Sequence, residues 1–567
     1  MSTSEENTPA SNAPSGAAWF ARFHSWPTVT ALSWAIAALG IALRIRQYLF
    51  NRSLWNDEAD LALNIITRSY AGLTHPLALA QGAPLGFLWA EKSFTELFGQ
   101  GEYALRALPL LAGIASVVLF RNLALKLLPS LASLLVIGLF ACSPVLIYFS
   151  SESKQYGVDV AAVIAVLCFF PWLLDSSPSL RRSLLYGSAL AVLVWFSFPA
   201  VFVGGATSLT LVCVLAYRRD FLGMRRVLLG SALWLTSLAL EYVVSLRPLS
   251  ANKALRDYWS EAFAPNPLKA GLPSTVHFYW NFARGWSYFP WLLWPPHGLS
   301  RLGQAAVLLL IVGIVAYLVR RRPFGLLIVA VTSVSVLANL VHEYPLFDRM
   351  LLFSVPVVYL TLGGIFLLSK RAWYQLLCVL LVAFLGGSAV MDGLKGAVHP
   401  VTRVEERAAL AYVQQHRRPG DGVLVEWLGQ ASYLYYFATT HVHADGSFWT
   451  YGSDRPCDNV SQLNKLKRWR RVWLVIGPDP HVVGHGVQAY ERVFVSISQV
   501  TEFFVPPIRR PVDGVGIAAA VLLKIDPSAP AAAQVPVPPW PPGRYGCISV
   551  TIMKPKMVLN SVVRPAG

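Results

Sequence analysis

Apolar runs of roughly 18–22 residues recur from Thr28 to Met391, each long enough to cross the hydrocarbon of a bilayer. They fall near residues 28–47, 105–125, 130–149, 155–174, 183–198, 200–217, 227–246, 304–319, 324–341, 350–368 and 373–391. The pattern predicts an α-helical polytopic membrane protein with about eleven transmembrane helices. Two long polar stretches interrupt the runs, 48–104 and 247–303. Residues 1–27 are polar and rich in Ser, Ala, Asn and Pro, the composition of a disordered segment. The first run ends in Leu43-Arg44-Ile45-Arg46 with no small-residue cleavage pattern behind it, so it reads as a retained span.

The pattern changes at about His399. Thr402 to Arg417 has helical periodicity and closes in Arg418-Pro419-Gly420-Asp421. Short apolar runs at Val423–Val425, Val472–Ile476 and Ala518–Ile525 predict strands, and Ala431–Thr439 predicts another helix. Residues 399–567 are therefore expected to form an α/β domain beside the membrane domain 28–398. The Pro- and Ala-rich segment 527–542 is expected to be an extended arm.

Composition supports the membrane reading. The chain is 55% hydrophobic and 14% charged, against about 25% charged in an ordinary soluble domain. Its net charge of +17 does not point to nucleic acid. Arg181-Arg182, Arg218-Arg219 with Arg225-Arg226, Arg320-Arg321-Arg322 and Lys370-Arg371 fall on alternate loops, which eleven spans put on one side. That side is expected to be cytoplasmic. The N-terminus is then inside, and the two long loops and the C-terminal domain lie outside. Four cysteines (Cys142, Cys168, Cys213, Cys378) fall in spans as packing residues. Cys457 and Cys547 fall in the outer domain, where an oxidising compartment lets them pair.

Three outer-face stretches carry chemistry. The first is Ser53-Leu54-Trp55-Asn56-Asp57-Glu58-Ala59-Asp60. Asn56 is placed to cap a helix, and acids in a first turn suit the helix dipole. Ionised groups beside a bilayer also point to function, with one carboxylate as general base. A helix N-terminus weakens such a base, which is adequate only for a good leaving group such as a phosphate. The second is Tyr148 to Tyr156, with Glu152, Lys154 and Tyr156. If helical, it puts Glu152, Tyr156 and Asp159 on one face, and Lys154 is a candidate phosphate contact. An ordinary polar hairpin is the plainer reading, but Asp159 is expected inside the hydrocarbon. The third is His342 to Arg349, where Arg349 either pairs with Asp348 or offers its fork to a phosphate. Arg44 and Arg46 are expected to snorkel at the end of the first span. The aromatic loop 247–303 contains His277, counted with the supporting residues. Its rings suit a membrane interface or a lid over a sugar.

In this order, the stretches resemble the membrane-embedded GT-C glycosyltransferases, specifically the bacterial set of protein O-mannosyltransferase-like proteins and lipid A aminoarabinose transferases. The resemblance covers about residues 28–391 and also rests on Gln81-Gly82-Ala83-Pro84-Leu85-Gly86 and Glu102-Tyr103-Ala104-Leu105-Arg106-Ala107-Leu108-Pro109. It implies a polyprenyl-phosphate-linked sugar donor at the outer face of a bacterial inner (plasma) membrane, with membrane lipids around the chain and an acceptor that the residues do not name. It implies catalysis at Asp57 with Glu58 beside it, and phosphate contacts chosen from Lys154, Arg349 and Arg106. Members of the family that need a divalent metal use an Asp-x-Asp pattern. Asp57-Glu58 and Glu58-Ala59-Asp60 leave metal dependence open here. An inverting transfer with Asp57 as base is the expected chemistry. A lipid-linked sugar transporter or flippase, or a non-catalytic scaffold for envelope assembly, are the alternatives.

Overall fold

The computed structural model describes residues 26–250, 257, 259–286, 300–346, 348–425, 429–440, 447–449, 469–476, 498–504 and 519–525. The expected disulfide Cys457–Cys547, the arm 527–542 and most of the segment 1–27 lie outside the described residues.

Every apolar run falls on helix. Eight helices among the described residues are long and apolar enough to span a membrane. Of the other three runs, two fall on helices that break within the run and the third on the helix Ser300–Arg320. The run 130–149 breaks at Ser143-Pro144, since Pro144 lacks the N–H that would continue the helix. It gives Ser130–Cys142 and Pro144–Phe149, the second capped by the Ser143 hydroxyl. The run 183–198 gives Leu180–Leu193 and then a tight turn, Val194–Phe196. The run near 304 gives the helix Ser300–Arg320.

The break at Ser143 explains Arg44. This arginine does not snorkel. It is fully buried and donates to the Gly40, Ala141 and Phe140 carbonyls at 2.9, 3.0 and 3.3 Å. The last two are carbonyls at the end of the broken helix, which hydrocarbon cannot satisfy. Arg46 reaches the Ala397 carbonyl.

The first long polar stretch is helical, with α1 at Asn56–Thr67 and α2 at Leu85–Phe98. It leads into a span, α3, Glu102–Leu127. Tyr156–Leu174, also a span, is α4. The second polar stretch contains the helix Leu272–Trp286.

The C-terminal region forms a five-stranded mixed sheet. Its strands are β1 Gly422–Val425, β2 Ser447–Trp449, β3 Arg471–Ile476, β4 Ser498–Phe504 and β5 Ala519–Ile525, in the order β2-β1-β3-β5-β4. β1 pairs parallel with β2 and β3, and β5 pairs antiparallel with β3 and β4. Helices Glu406–His416 and Gln430–Thr440 accompany it. A hydrophobic core runs from Leu54, Leu61 and Ile65 through Leu85 and Leu88 to Leu434, Tyr435 and Trp473. Buried apolar side chains of the first polar stretch and of the C-terminal domain are thus one body, and Asp57 and Glu58 stand at its edge.

Candidate functional site

Trp55, not Asn56, is the residue before the first turn of α1. Its backbone is extended (φ −91°, ψ 167°), and Asn56 is already helical. Glu58 lies in the first turn, with its carboxylate 3.5 Å from the Trp55 N–H. The two acids then diverge. Glu58 turns inward and is fully buried. It accepts from Arg52 at 2.5 Å, from Arg106 at 2.9 and 3.0 Å, and from the Ser153 N–H at 2.8 Å. Arg106 also donates to the Arg52 and Ser53 carbonyls. Arg106, expected at a phosphate, is instead a buried strut whose guanidinium is committed to Glu58 and backbone. Burial pushes the Glu58 carboxyl up, but Arg106 and Arg52 outweigh it and hold the group below the usual carboxylate range.

Asp57 faces the more open side, with its side chain 17% exposed. It pairs with Lys154 at 3.1 Å and with Arg349 at 2.8 Å. The sequence places these three residues in separate polar stretches, and the structure brings them together. Burial again raises this carboxyl, and the Arg349 and Lys154 cations overcome that and depress it strongly. Gln81 ties the group. Its amide N–H₂ lies 3.2 Å from Asp57 and 3.4 Å from Asp60, while its carbonyl oxygen accepts from Lys154. Asp60, one turn after Asp57 and partly buried, is pushed well above the usual range by burial and by the neighbouring Asp57 charge. One helix face thus carries two acids whose titrations are driven in opposite directions.

The hairpin 150–155 is a set of turns, not a helix. Ser150 and Ser151 bond back to the Ile147 and Tyr148 carbonyls, and α4 starts only at Tyr156. Glu152 and Asp159 therefore do not share a face. Glu152 accepts from the Trp55 indole at 2.9 Å and sits 4.0 Å from Arg403. Asp159 is buried in its span. Tyr156 packs with Trp55 and Trp259 around Arg349, whose guanidinium carbon lies 5.8, 5.3 and 6.0 Å from the three rings. Arg349 reaches Asp57, and the Asp348 side chain lies outside the described ones. His277 stands exposed, bonded to Asn281 at 2.8 Å, and does not join the cluster.

Among the described residues, no group of three or more His, Cys, Asp or Glu side chains is placed to hold a metal ion. Asp57 and Asp60 come together but Glu58 turns away into its arginines, so neither acidic motif makes a full ligand set. Sequence reasoning missed Gln81, Asp60 and Arg403 as parts of the assembly. The first two sit in stretches already singled out. No pattern in the sequence links Arg403 to Trp55, 348 residues earlier.

Fold and site together define a multi-span, predominantly helical membrane protein with a mixed α/β domain and a cation-rich acidic cluster at their junction. No family model and no curated protein matches the chain. Among solved structures it is similar to apo ArnT from Cupriavidus metallidurans, at 16% identity and a TM-score of 0.37, over 92% of this chain and 100% of that one. The same protein bound to undecaprenyl phosphate gives 14% and 0.36 with the same coverage. The oligosaccharyltransferase AglB from Archaeoglobus fulgidus, in complex with an inhibitory peptide and a dolichol-phosphate, gives 11% and 0.47 over 87% of this chain and 74% of that one. At such identities and scores, the functional reading rests on this chain's own residues.

Proposed function

We propose that the protein is a glycosyltransferase that moves a sugar from a polyprenyl-phosphate donor to an acceptor hydroxyl at the outer face of the membrane. The observation that carries this reading is a single carboxylate, Asp57, shared by two cations at 3.1 and 2.8 Å on the more open side of the cluster. A guanidinium and an ammonium that converge on one carboxylate together suit a phosphate. The sugar's leaving group is that phosphate.

The arrangement also answers the weakness of Asp57 as a base. A carboxylate held by two cations is a poor proton acceptor. When the donor phosphate enters, Lys154 and Arg349 turn part of their charge to its oxygens, and Asp57 regains basicity. It then takes the proton of the acceptor hydroxyl as that oxygen attacks the anomeric carbon. The carbon–phosphate-oxygen bond breaks on the opposite face with inversion, and Lys154 and Arg349 stabilise the departing phosphate. Glu58, Arg52 and Arg106 hold α1 in place, and no step passes through them.

Binding of undecaprenyl phosphate to the detergent-solubilised full chain tests the reading. Lys154→Met and Arg349→Met are each expected to weaken it by about tenfold or more, the scale of a lost charge-assisted contact. Unchanged affinity in both would remove the phosphate site.

A further inference from the structure

We propose that Arg403, at the root of the C-terminal domain, is a positioning residue that holds Trp55 and, through it, the Arg349–Asp57 pair. The proposal rests on the phosphate-site reading of that pair. Its own warrant is a run of contacts at the chain entering α1. Arg403 is buried at 2% exposure, with its guanidinium carbon 4.0 Å from the centre of the Trp55 ring. That distance is a close stack of a planar cation on an indole. Glu152 fixes the arrangement from the side. It accepts the indole N–H at 2.9 Å and lies 4.0 Å from Arg403. The same Trp55 ring lies 5.3 Å from the Arg349 guanidinium carbon, and Arg349 holds Asp57 at 2.8 Å.

Arg403 does not act alone on this segment. Glu405 accepts from the Ser53 hydroxyl at 2.8 Å, the Tyr436 hydroxyl accepts from the Leu54 N–H at 2.8 Å, and Arg407 donates to the Asn51 carbonyl. Four of the five residues 51–55 thus have a partner in the region 403–436. Of these partners, Arg403 meets the ring that touches the site. The others grip the backbone and Ser53. A shift of the C-terminal domain that moves Arg403 therefore reaches Arg349 through the Trp55 ring.

The test uses the full chain carrying 5-fluorotryptophan, with the Trp55 fluorine signal assigned by its loss in Trp55→Phe. Undecaprenyl phosphate is the probe. Arg403→Met is expected to move or broaden the Trp55 signal, to remove its response to the lipid phosphate, and to weaken lipid binding about tenfold. Glu405→Gln, which touches the same segment but not the ring, is expected to leave the Trp55 signal and the affinity as in wild type. Arg403→Lys keeps the charge beside Glu152 and loses the planar face. It serves if the methionine variant does not fold, and it is expected to move the Trp55 signal in a protein with wild-type melting. An Arg403→Met or Arg403→Lys protein whose Trp55 signal and lipid affinity equal wild type overturns the positioning role. A wild-type protein that ignores the lipid counts against the phosphate site instead, and the effect of Arg403 on the Trp55 signal still decides this proposal.

Discussion

At the residue scale, the two adjacent acids do opposite work because of where one helical turn points them. Asp57→Asn removes the negative charge that Lys154 and Arg349 share. The variant is expected to bind undecaprenyl phosphate at least as tightly as wild type while losing turnover by about 10²–10⁴-fold, the usual worth of a general base. Affinity and rate measured on one preparation check both halves. Glu58→Gln is expected to fail differently. It leaves Arg52 and Arg106 as buried charges without their counter-ion, a loss of about 3–5 kcal/mol, seen as a lower melting temperature. Glu91 makes a third case. It is fully buried, neither carboxyl oxygen has a hydrogen-bond partner among the described residues, and burial with the nearby Glu58 charge raises its titration well above the usual range. The native state then keeps a proton that the unfolded chain releases above about pH 4.3. Stability therefore falls as pH rises from there toward the folded value. Glu91→Gln is expected to match wild type in melting near pH 4 and to melt higher at pH 8. Equal melting at both pH values would contradict this. Asp57, Lys154 and Arg349 stand in the three polar stretches singled out in the sequence, and the structure brings the three side chains together. Arg106 was misread as a phosphate contact because a sequence does not show which of two neighbouring acids an arginine faces.

At the scale of elements, the run 130–149 looked like one span because its apolar pattern continues through Ser143-Pro144. The break shows only when the carbonyls it frees are followed to Arg44. The same corner explains a glycine. A Cβ at Gly393, on the helix Ala372–Lys395, would stand 1.8 Å from the Cys142 carbonyl oxygen. Backbone cannot give that much. Gly393→Ala is expected to push the last span away from the break and lower the melting temperature of the solubilised protein by several degrees. Melting equal to wild type would show that the two helices are not in contact there. Helices 402–417 and 431–439 and three strands were readable from periodicity, within a few residues of their ends. β2 and β4 were not. β2 is three residues long, and β4, Ser-Gln-Val-Thr-Glu-Phe-Phe, lacks a clean alternation of apolar and polar positions.

At the scale of the whole molecule, the sequence separates a membrane domain from an outer domain, and the hydrophobic core joins them. Leu54, Leu61 and Leu88 share one buried core with Leu434 and Tyr435, and Arg407 pairs with Glu102 at 2.7 Å. Contacts across more than three hundred residues of chain leave no periodic trace, which is why the partnership was not legible. The central claim remains chemical: Asp57, with Lys154 and Arg349, transfers a sugar at the outer face. Mass spectrometry of envelope glycans tests it most directly, in cells carrying the wild-type protein, no protein, or Asp57→Asn at wild-type membrane levels. The account predicts one sugar missing, at the same attachment point, from both the deletion and the Asp57→Asn cells. Envelope glycans identical in all three, or fully restored by Asp57→Asn, would contradict it.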